Sequence, residues 1–413
     1  MGTTSYIYHT QGTKGYELMK TEFIGGEIFV HLKSKPEHRQ CPCGAGPSEF
    51  REESNFRRDI LGLPCGFRRQ YFVLHGRVLI CSQCHMRRRE EVRFTTGQRR
   101  TSKRMDKFIA SLCSMLPMSK VATWCGVGWD LVKERHKEAL AAEFPKTDYS
   151  GVRYIGIDEF SIRKRHEYMT VVVNLETGAI LHAVEGKDAA SVIPFLDELK
   201  RANAPLEAVA IDMSEAYINA VESVFEGNVD IVHDRYHVVA LANKAIDETR
   251  RDVQRDLPEA EKRLIKGQRF VLLRSPDNLS EEQQDSLDAL VEANKPIFKG
   301  YVLKEQLRRI WQVPYIVAEM APWPPDVIAE RLLQRWIEDA RNSGLKHFER
   351  LADTVEKRFD GILNYFDHRI TNAQVEGTNN KIKVLKRQAY GYRDMEYFKL
   401  RLYALHEAQV WVA

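Results

Sequence analysis

The sequence predicts an α/β protein: a mixed sheet with helices on both faces, broken by a long helical segment and preceded by a cysteine-containing module and an all-α segment. Three observations lead there. Apolar runs of the buried-strand type alternate with helical periodicity between residues 151 and 240. No strand-like run interrupts the helical patterns from 241 to 360. Two close cysteine pairs stand ahead of both. The chain has 413 residues and is 43% hydrophobic, enough for two or three domains with substantial cores. It lacks an apolar run of about 18 residues, and its start lacks the apolar stretch of a secretory signal, so a cytoplasmic protein without membrane contact is expected. The seven cysteines suit that compartment if they are reduced, buried or metal-bound.

Residues 1–100 are expected to form a zinc-ribbon-like module. Cys41 and Cys43 (QCPCGAG) are followed by Cys81 and Cys84 (LICSQCHMRRR), with the strand-like GFRRQYFVLHGRVLI just before the second pair. Two ligand knuckles joined by β-structure is the layout of such a zinc site. The first pair is C-x-C, one residue shorter than a normal knuckle, which leaves His85 and Cys65 as substitute ligands and a metal-free module as the alternative. From Arg51 to Arg104 there are 14 Lys/Arg against 5 Asp/Glu, a balance of +9 that points to a polyanionic partner. Arg87, Arg88 and Arg89 are candidate phosphate ligands within it.

Residues 101–147 read as a helix-turn-helix. SKRMDKFIASLCSML sets Phe108, Ile109, Leu112 and Met115 at helical spacing, and Pro117 interrupts. MSKVATWCGVGWDLVKERHKEAL then supplies two helices around Gly126-Val127-Gly128, with small Ala122 suited to a close crossing. On the last helix, Lys133, Arg135, His136 and Lys137 are candidates to face phosphates or base edges.

Residues 148–240 are expected to be the first part of a catalytic core. YIGIDEF, YMTVVVNLE and AILHAVEG read as strands, with Glu176-Thr177-Gly178 closing a hairpin. SVIPFLDELKR reads as a helix, AVAIDMS as a fourth strand, EAYINAVESVF as a helix and VDIVHDRYHVV as a fifth strand entering a helix. That order describes an RNase H-like fold. Asp158 and Asp212 are expected at the ends of the first and fourth strands, where neither would be chosen for strand propensity. Adjacent strands would bring both within reach of one divalent cation. From Gly151 to Arg235, 15 Asp/Glu face 8 Lys/Arg, a balance of −7 that suits a cation site.

Residues 241–360 read as helical throughout, and Trp311, Trp323 and Trp336 within them are expected in the core, with base stacking as the other role. Residues 361–413 are expected to form the C-terminal helical part of the core. There RITNAQVEGTNNKIKVLKRQAYGYRD sets Glu376 on one helical face with Asn379, Asn380 and Lys383. The amides can orient a carboxylate or a phosphate, and Lys381, Lys383, Lys386 and Arg387 can hold a nucleic-acid backbone.

YIGIDEF with Asp158, AIDMSEAY with Asp212, VHDRYHVV with Asp234 and His237, and ITNAQVEGTNNKIKVLKRQAYGYRD with Glu376 together resemble the DDE transposases of the ISL3 insertion-sequence family. The resemblance covers nearly the whole chain, departing at the C-x-C pair. It implies that Asp158, Asp212 and Glu376 are the acidic triad of an RNase H-like polynucleotidyl transferase that uses two divalent metal ions, and that residues 241–360 are a helical insertion between the fifth strand and the last helix. Oxygen ligands favour Mg²⁺ or Mn²⁺ there, with Zn²⁺ at the cysteines. The expected reaction is cleavage at the terminal inverted repeats of an insertion element and strand transfer into target DNA. The partners implied are double-stranded DNA and a second copy of the chain, as a homodimer or larger synaptic assembly. Asp234 is an auxiliary candidate as a fourth carboxylate and His237 as a base, with a structural turn as the alternative; Asn379 is a further auxiliary. A structure-specific nuclease would keep the triad without joining ends. A zinc-ribbon and helix-turn-helix transcriptional regulator would not need it.

Overall fold

The computed structural model describes residues 3–406 apart from 37, 38, 40, 146, 147, 164–166, 259–261, 263, 264, 266, 267 and 321. The chain divides into two compact units: Met1–Phe144 with Lys386–Ala413, and Pro145–Leu385. No helix among the described residues is long and apolar enough to cross a membrane.

The first unit opens with helix α1 (Thr3–Gln11) and a sheet that sequence reading missed in part. Strands β1 (Tyr16–Ile24), β2 (Glu27–Ser34), β3 (Phe50–Leu61) and β4 (Gln70–Cys81) lie in the order β1-β2-β4-β3, and β5 (Arg87–Arg89) pairs with the end of β4. Only β4 matches a strand expected from the sequence; the strands from Tyr16 to Arg89 make a five-stranded sheet, larger than a ribbon. Strand β2 runs parallel to β4, so these strands are joined through a long excursion rather than a hairpin. Ile28, Val30 and Leu32 of β2 and Ile60, Phe72 and Leu74 of β3 and β4 fill one core of this unit.

Three helices follow: α2 (Lys103–Met115), α3 (Met118–Cys125) and α4 (Trp129–Ala141). Ser102 caps α2 by accepting from the Met105 N–H, and Gly126 ends α3 in the left-handed region at φ 66°. Ile109, Leu112, Val121 and Val132 form their shared core, while Met115, expected there, is exposed.

In the second unit the expected elements form. Strands β6 (Tyr154–Arg163), β7 (Glu167–Asn174), β8 (Ile180–Glu185), β9 (Ala208–Ile211) and β10 (Asp230–His233) lie in the order β10-β9-β6-β7-β8. The pairs β6–β9 and β9–β10 are parallel, and β6–β7 and β7–β8 antiparallel. Helices α5 (Ala189–Arg201) and α6 (Glu215–Phe225) cover one face, packing Val192, Leu196, Tyr217 and Val221 on Ile155, Ile157, Val209 and Ile211. The first strand runs five residues past Asp158 because β7 continues to pair with it, so Asp158 lies mid-strand and not at a strand end. Asp212 directly follows β9.

Helix α7 (Arg235–Asp256) leads into a run of helices: α8 (Arg269–Leu273), α9 (Glu281–Ala293), α10 (Lys295–Arg309), α11 (Val313–Ala318), α12 (Pro325–Arg341), α13 (Lys346–Lys357) and α14 (Phe359–His368). These helices share one apolar core that includes Trp311 and Trp336, the latter donating from Nε1 to the Leu303 carbonyl at 2.8 Å. Trp323 departs from the expectation: it is 40% exposed, and the Arg331 guanidinium stacks on its ring. Helix α14 docks on edge strand β10, where Gly361 leaves room for the His233 ring and the Asn364 amide donates to the Ile231 carbonyl at 3.0 Å.

Helices α15 (Ala373–Gln388) and α16 (Met395–Tyr403) complete the chain. The expectation that residues 361–413 belong together is corrected, because residues from 386 onward belong to the first unit. The physical reason is packing. Tyr397 and Ala404 join Leu140 and Phe144 in a buried cluster, and the Tyr397 hydroxyl meets buried His136 Nδ1 at 2.7 Å.

Candidate active site and cysteine centre

The parallel register sets the first part of the site. The last register pair of β6 and β9 is Gly156 with Ala210, and carrying that alternation two residues on puts Asp158 and Asp212 on the same side of the sheet. Asp234 follows the third parallel strand, β10, and caps α7 by accepting from the Tyr236 N–H at 2.6 Å. Ligands of open α/β sheets sit at this carboxyl-end edge of parallel strands.

Helix α15 is seated on the same face. Gly156 makes the seat possible: a Cβ there would lie 2.4 Å from Val375 Cγ2. Asn372, just ahead of the helix, donates its main-chain N–H to Asp234 Oδ2 at 2.8 Å and its amide to the Ile157 carbonyl at 3.4 Å. One turn on, the Glu376 N–H donates to the Asn372 carbonyl at 2.9 Å, starting the helix. Asn379, buried, donates from Nδ2 to Asp158 Oδ2 at 2.8 Å. Glu376 therefore leaves a helix that is pinned to the strand carrying Asp158, and its own side chain is exposed.

Burial pushes Asp158 up to about 6; the Glu159 N–H and His237 oppose this, while the charges of Glu159 and Asp212 add to it. A buried carboxylate raised chiefly by desolvation, with other carboxylates near it, marks a candidate functional site. The trio is not a preassembled cage. Among the described residues, only Cys41, Cys43, Cys81 and Cys84 bring three or more ligand atoms within 4.8 Å of one another. Glu159 projects to the other face, where its carboxylate accepts from the Tyr217 hydroxyl at 3.0 Å. Buried His233, held down at about 4 by its burial, is neutral and packs under α14.

The cysteines converge from two tight turns. Gly44 at φ 94° folds the first, with the Gly44 N–H on the Cys41 carbonyl. The second turns at His85, φ 57°, whose N–H reaches the Cys81 carbonyl. Across the turns Cys41 Sγ lies 3.5 Å from Cys84 Sγ, and Cys43 Sγ 3.7 Å from Cys81 Sγ. The short C-x-C spacing is accommodated, and neither His85 nor Cys65 joins the group. The backbone N–H of Cys84 lowers the Cys81 thiol to about 7, toward the thiolate.

The expected DNA-contacting cations have several fates. Arg135 is buried and pairs with Asp106 at 3.2 Å and Glu138 at 3.1 Å, so it is corrected from a DNA contact to a strut between α2 and α4. Lys133 pairs with Asp394 at 2.8 Å, and Lys137 with Asp394 at 3.2 Å and Glu396 at 2.8 Å. His136 is fully buried. Arg87 pairs with Glu53, and Arg88 and Arg89 lie over the Phe50 and Phe56 rings. Lys383 and Arg387 are exposed on α15, and Lys386 is half-buried.

The family model of ISL3 DDE transposases, described as Transposase, matches residues 155–402. The chain belongs to that family. This transposase is 32% identical over 403 residues to the transposase of insertion sequence element IS1001 from Bordetella parapertussis, covering 95% of this chain and 96% of that one. It is 29% identical over 270 residues to the transposase of IS1557 from Mycobacterium tuberculosis, covering 59% of this chain and 58% of that one. Among solved structures, the Drosophila P element transposase strand transfer complex is similar at a TM-score of 0.41 and 9% identity, over 76% of this chain and 94% of that chain. The protein is a DNA transposase of mixed α/β architecture.

Proposed function

We propose that the second unit is an RNase H-like nuclease and strand-transfer core in which Asp158, Asp212 and Glu376 are the catalytic carboxylates. The observation that carries this reading is the seat of α15 on β6, which brings the helix of Glu376 to the face from which Asp158 and Asp212 project. The residues fit a divalent cation: Asp158 and Asp212 are hard-oxygen donors on the same side of the sheet, and Glu376 is an exposed carboxylate able to swing in. A bound Mg²⁺ or Mn²⁺ supplies charge neutralisation at a phosphodiester and activation of the attacking hydroxyl. Asn379 holds one oxygen of Asp158 and so directs the other. Asp234, spent on two backbone N–H groups, anchors α15 instead of serving as a fourth ligand. Lys383 and Arg387, further along α15, hold the backbone of the DNA being cut.

The four cysteines form a structural zinc site. Zn–S bonds of about 2.3 Å place tetrahedral sulfurs roughly 3.8 Å apart. The observed separations of 3.5 and 3.7 Å match. Helices α2–α4 act as a helix-turn-helix that meets the element ends through the α3–α4 turn, beside the basic sheet, and not through Lys133, Arg135 or Lys137, which are paired within the first unit.

The test is a Mg²⁺-dependent assay with a labelled element end and a target plasmid. Cutting followed by joining is expected; cutting without joining would make the protein a nuclease, and binding alone would remove the catalytic reading.

A further inference from the structure

Helix α4 has no cationic surplus to offer DNA. Its sequence WDLVKERHKEALA holds three cations and three carboxylates, and all three cations are engaged within the first unit. The open positive charge lies elsewhere. Strand β3 is an edge of the N-terminal sheet, and two clefts of about 560 and 530 Å³ lie along it. Both are lined by Arg57, Arg58 and Arg100; the first reaches the turn at Gly126 and Val127 between α3 and α4, and the second reaches Arg89. From Phe56 to Leu61 the strand covers roughly 17 Å.

We propose that these clefts form one trough that binds the phosphate backbone of duplex DNA, with Arg57, Arg89 and Arg100 as ligands. The proposal rests on the DNA-transposase function and gives the binding surface its location. Arg100 is exposed, and among the described residues its guanidinium has no hydrogen-bond or ion-pair partner. Arg57 carries a bidentate pair with Asp59 at 3.0 and 3.2 Å in which both side chains are about half exposed, a contact that solvent screens and a phosphate can replace. Arg58 donates to the Gly97 carbonyl at 3.1 Å and to the Arg99 carbonyl, which fixes the loop carrying Arg100 beside β3. Of the carboxylates lining the trough, Glu90 is spent on Arg39 at 3.0 Å and on the Arg77 N–H at 2.9 Å. The trough touches the α3–α4 turn, so phosphates held in it would run past the exposed start of α4, where Trp129 stands 46% exposed. Phosphate contact by the sheet edge thereby sets the position of the helical turn on the duplex.

The experiment uses the full chain and a labelled duplex of arbitrary sequence about three helical turns long, titrated across NaCl concentrations. Arg57→Ala with Arg100→Ala should weaken binding roughly 10- to 100-fold at low salt and reduce the slope of log K against log salt by about 2. Lys133→Ala with Lys137→Ala should change affinity less than about twofold at matched salt. Unchanged slope and affinity in the arginine pair, or the loss appearing in the lysine pair, overturns the proposal. Arg57→Lys with Arg100→Lys should keep the slope, because a point charge still displaces counterions; loss of slope there means the arginines shape the fold and overturns it as well. Cleavage of an element end by the wild type separates the two levels: a cutting enzyme whose arginine pair binds normally loses the trough and keeps the transposase reading.

Discussion

Replacing Gly156 with alanine should cripple catalysis from beneath the helix that carries Glu376. The new Cβ would meet Val375 Cγ2 at 2.4 Å, Leu175 Cδ2 at 2.9 Å and the Asn372 amide oxygen at 3.0 Å. Unstrained carbon contacts need about 3.5–4.0 Å, so roughly 1 Å of overlap must be relieved. Leu175 and the Asn372 amide can shift a little. Val375 cannot turn away easily: it is fully buried, and β-branching stiffens it. Helix α15 must therefore lift from β6, against the anchors of Asn372 to Asp234 and Ile157. Overpacking of this kind costs about 1–3 kcal/mol, a melting shift of roughly 2–10 °C for a unit of this size. Displacing Glu376 by about 1 Å should slow cleavage on the order of 100-fold. The assay is single-turnover cleavage of a labelled element end in Mg²⁺, with thermal melting alongside. Val375→Ala removes the clashing methyl, so adding it to Gly156→Ala should restore part of the rate, although Val375→Ala alone destabilises; the coupling has opposite sign to the single effects. Gly156→Ala cutting at the wild-type rate with unchanged melting would refute the seat of α15 on β6.

Glu376→Gln, Asp158→Asn and Asp212→Asn should each reduce cleavage by about 10³-fold or more with DNA binding near normal, and any pair should cost little more than one; Glu159→Gln should be mild, and equal loss there would dissolve the distinction between strand faces. Asp234→Asn should raise the Mg²⁺ concentration needed for cleavage and leave DNA affinity unaltered, since it loosens an anchor; a complete loss that no Mg²⁺ concentration rescues would make Asp234 a metal ligand. Metal analysis should find about one zinc per chain, lost in Cys81→Ser with Cys84→Ser; zinc retained by that variant would exclude those ligands. Tyr397→Phe removes the partner of buried His136 and should cost about 1–3 kcal/mol, read as a lower melting temperature at unchanged cleavage rate per folded molecule; an unshifted transition would make that contact dispensable.

The sheet of the second unit was legible because its signals are local. Val171, Val172 and Val173 in sequence mark a strand buried on both faces, and Gly178 at φ 77° supplies the turn that the Glu176-Thr177-Gly178 hairpin needs. The apolar runs ahead of Asp158 and Asp212 were readable as strands too, but the length of β6 beyond Asp158 was not, because its pairing with β7 sets it. The seat of α15 was not legible, because Gly156 and Val375 meet across more than 200 residues and neither announces the contact. The same distance hid the fate of the α4 cations: Lys133 and Lys137 look like phosphate ligands until Asp394 and Glu396 arrive from the far end of the chain. Arg135 is removed from solvent by Asp106 on a different helix. In the N-terminal sheet, β1 exposes much of its length and carries weak alternation, and the parallel β2–β4 pairing leaves no hairpin signal.

The return of the last residues to the first unit has a consequence during synthesis. His136 and Tyr397 are separated by 261 positions, an interval that a ribosome crosses in roughly 13–50 s. The second unit, residues 145–385, emerges complete within that interval. Throughout it the α4 region lacks its buried tyrosine partner, and Lys133 and Lys137 lack Asp394 and Glu396. The nascent chain is thus more basic around α4 than the finished one, and the acidic turn that arrives last both closes the fold and masks that charge.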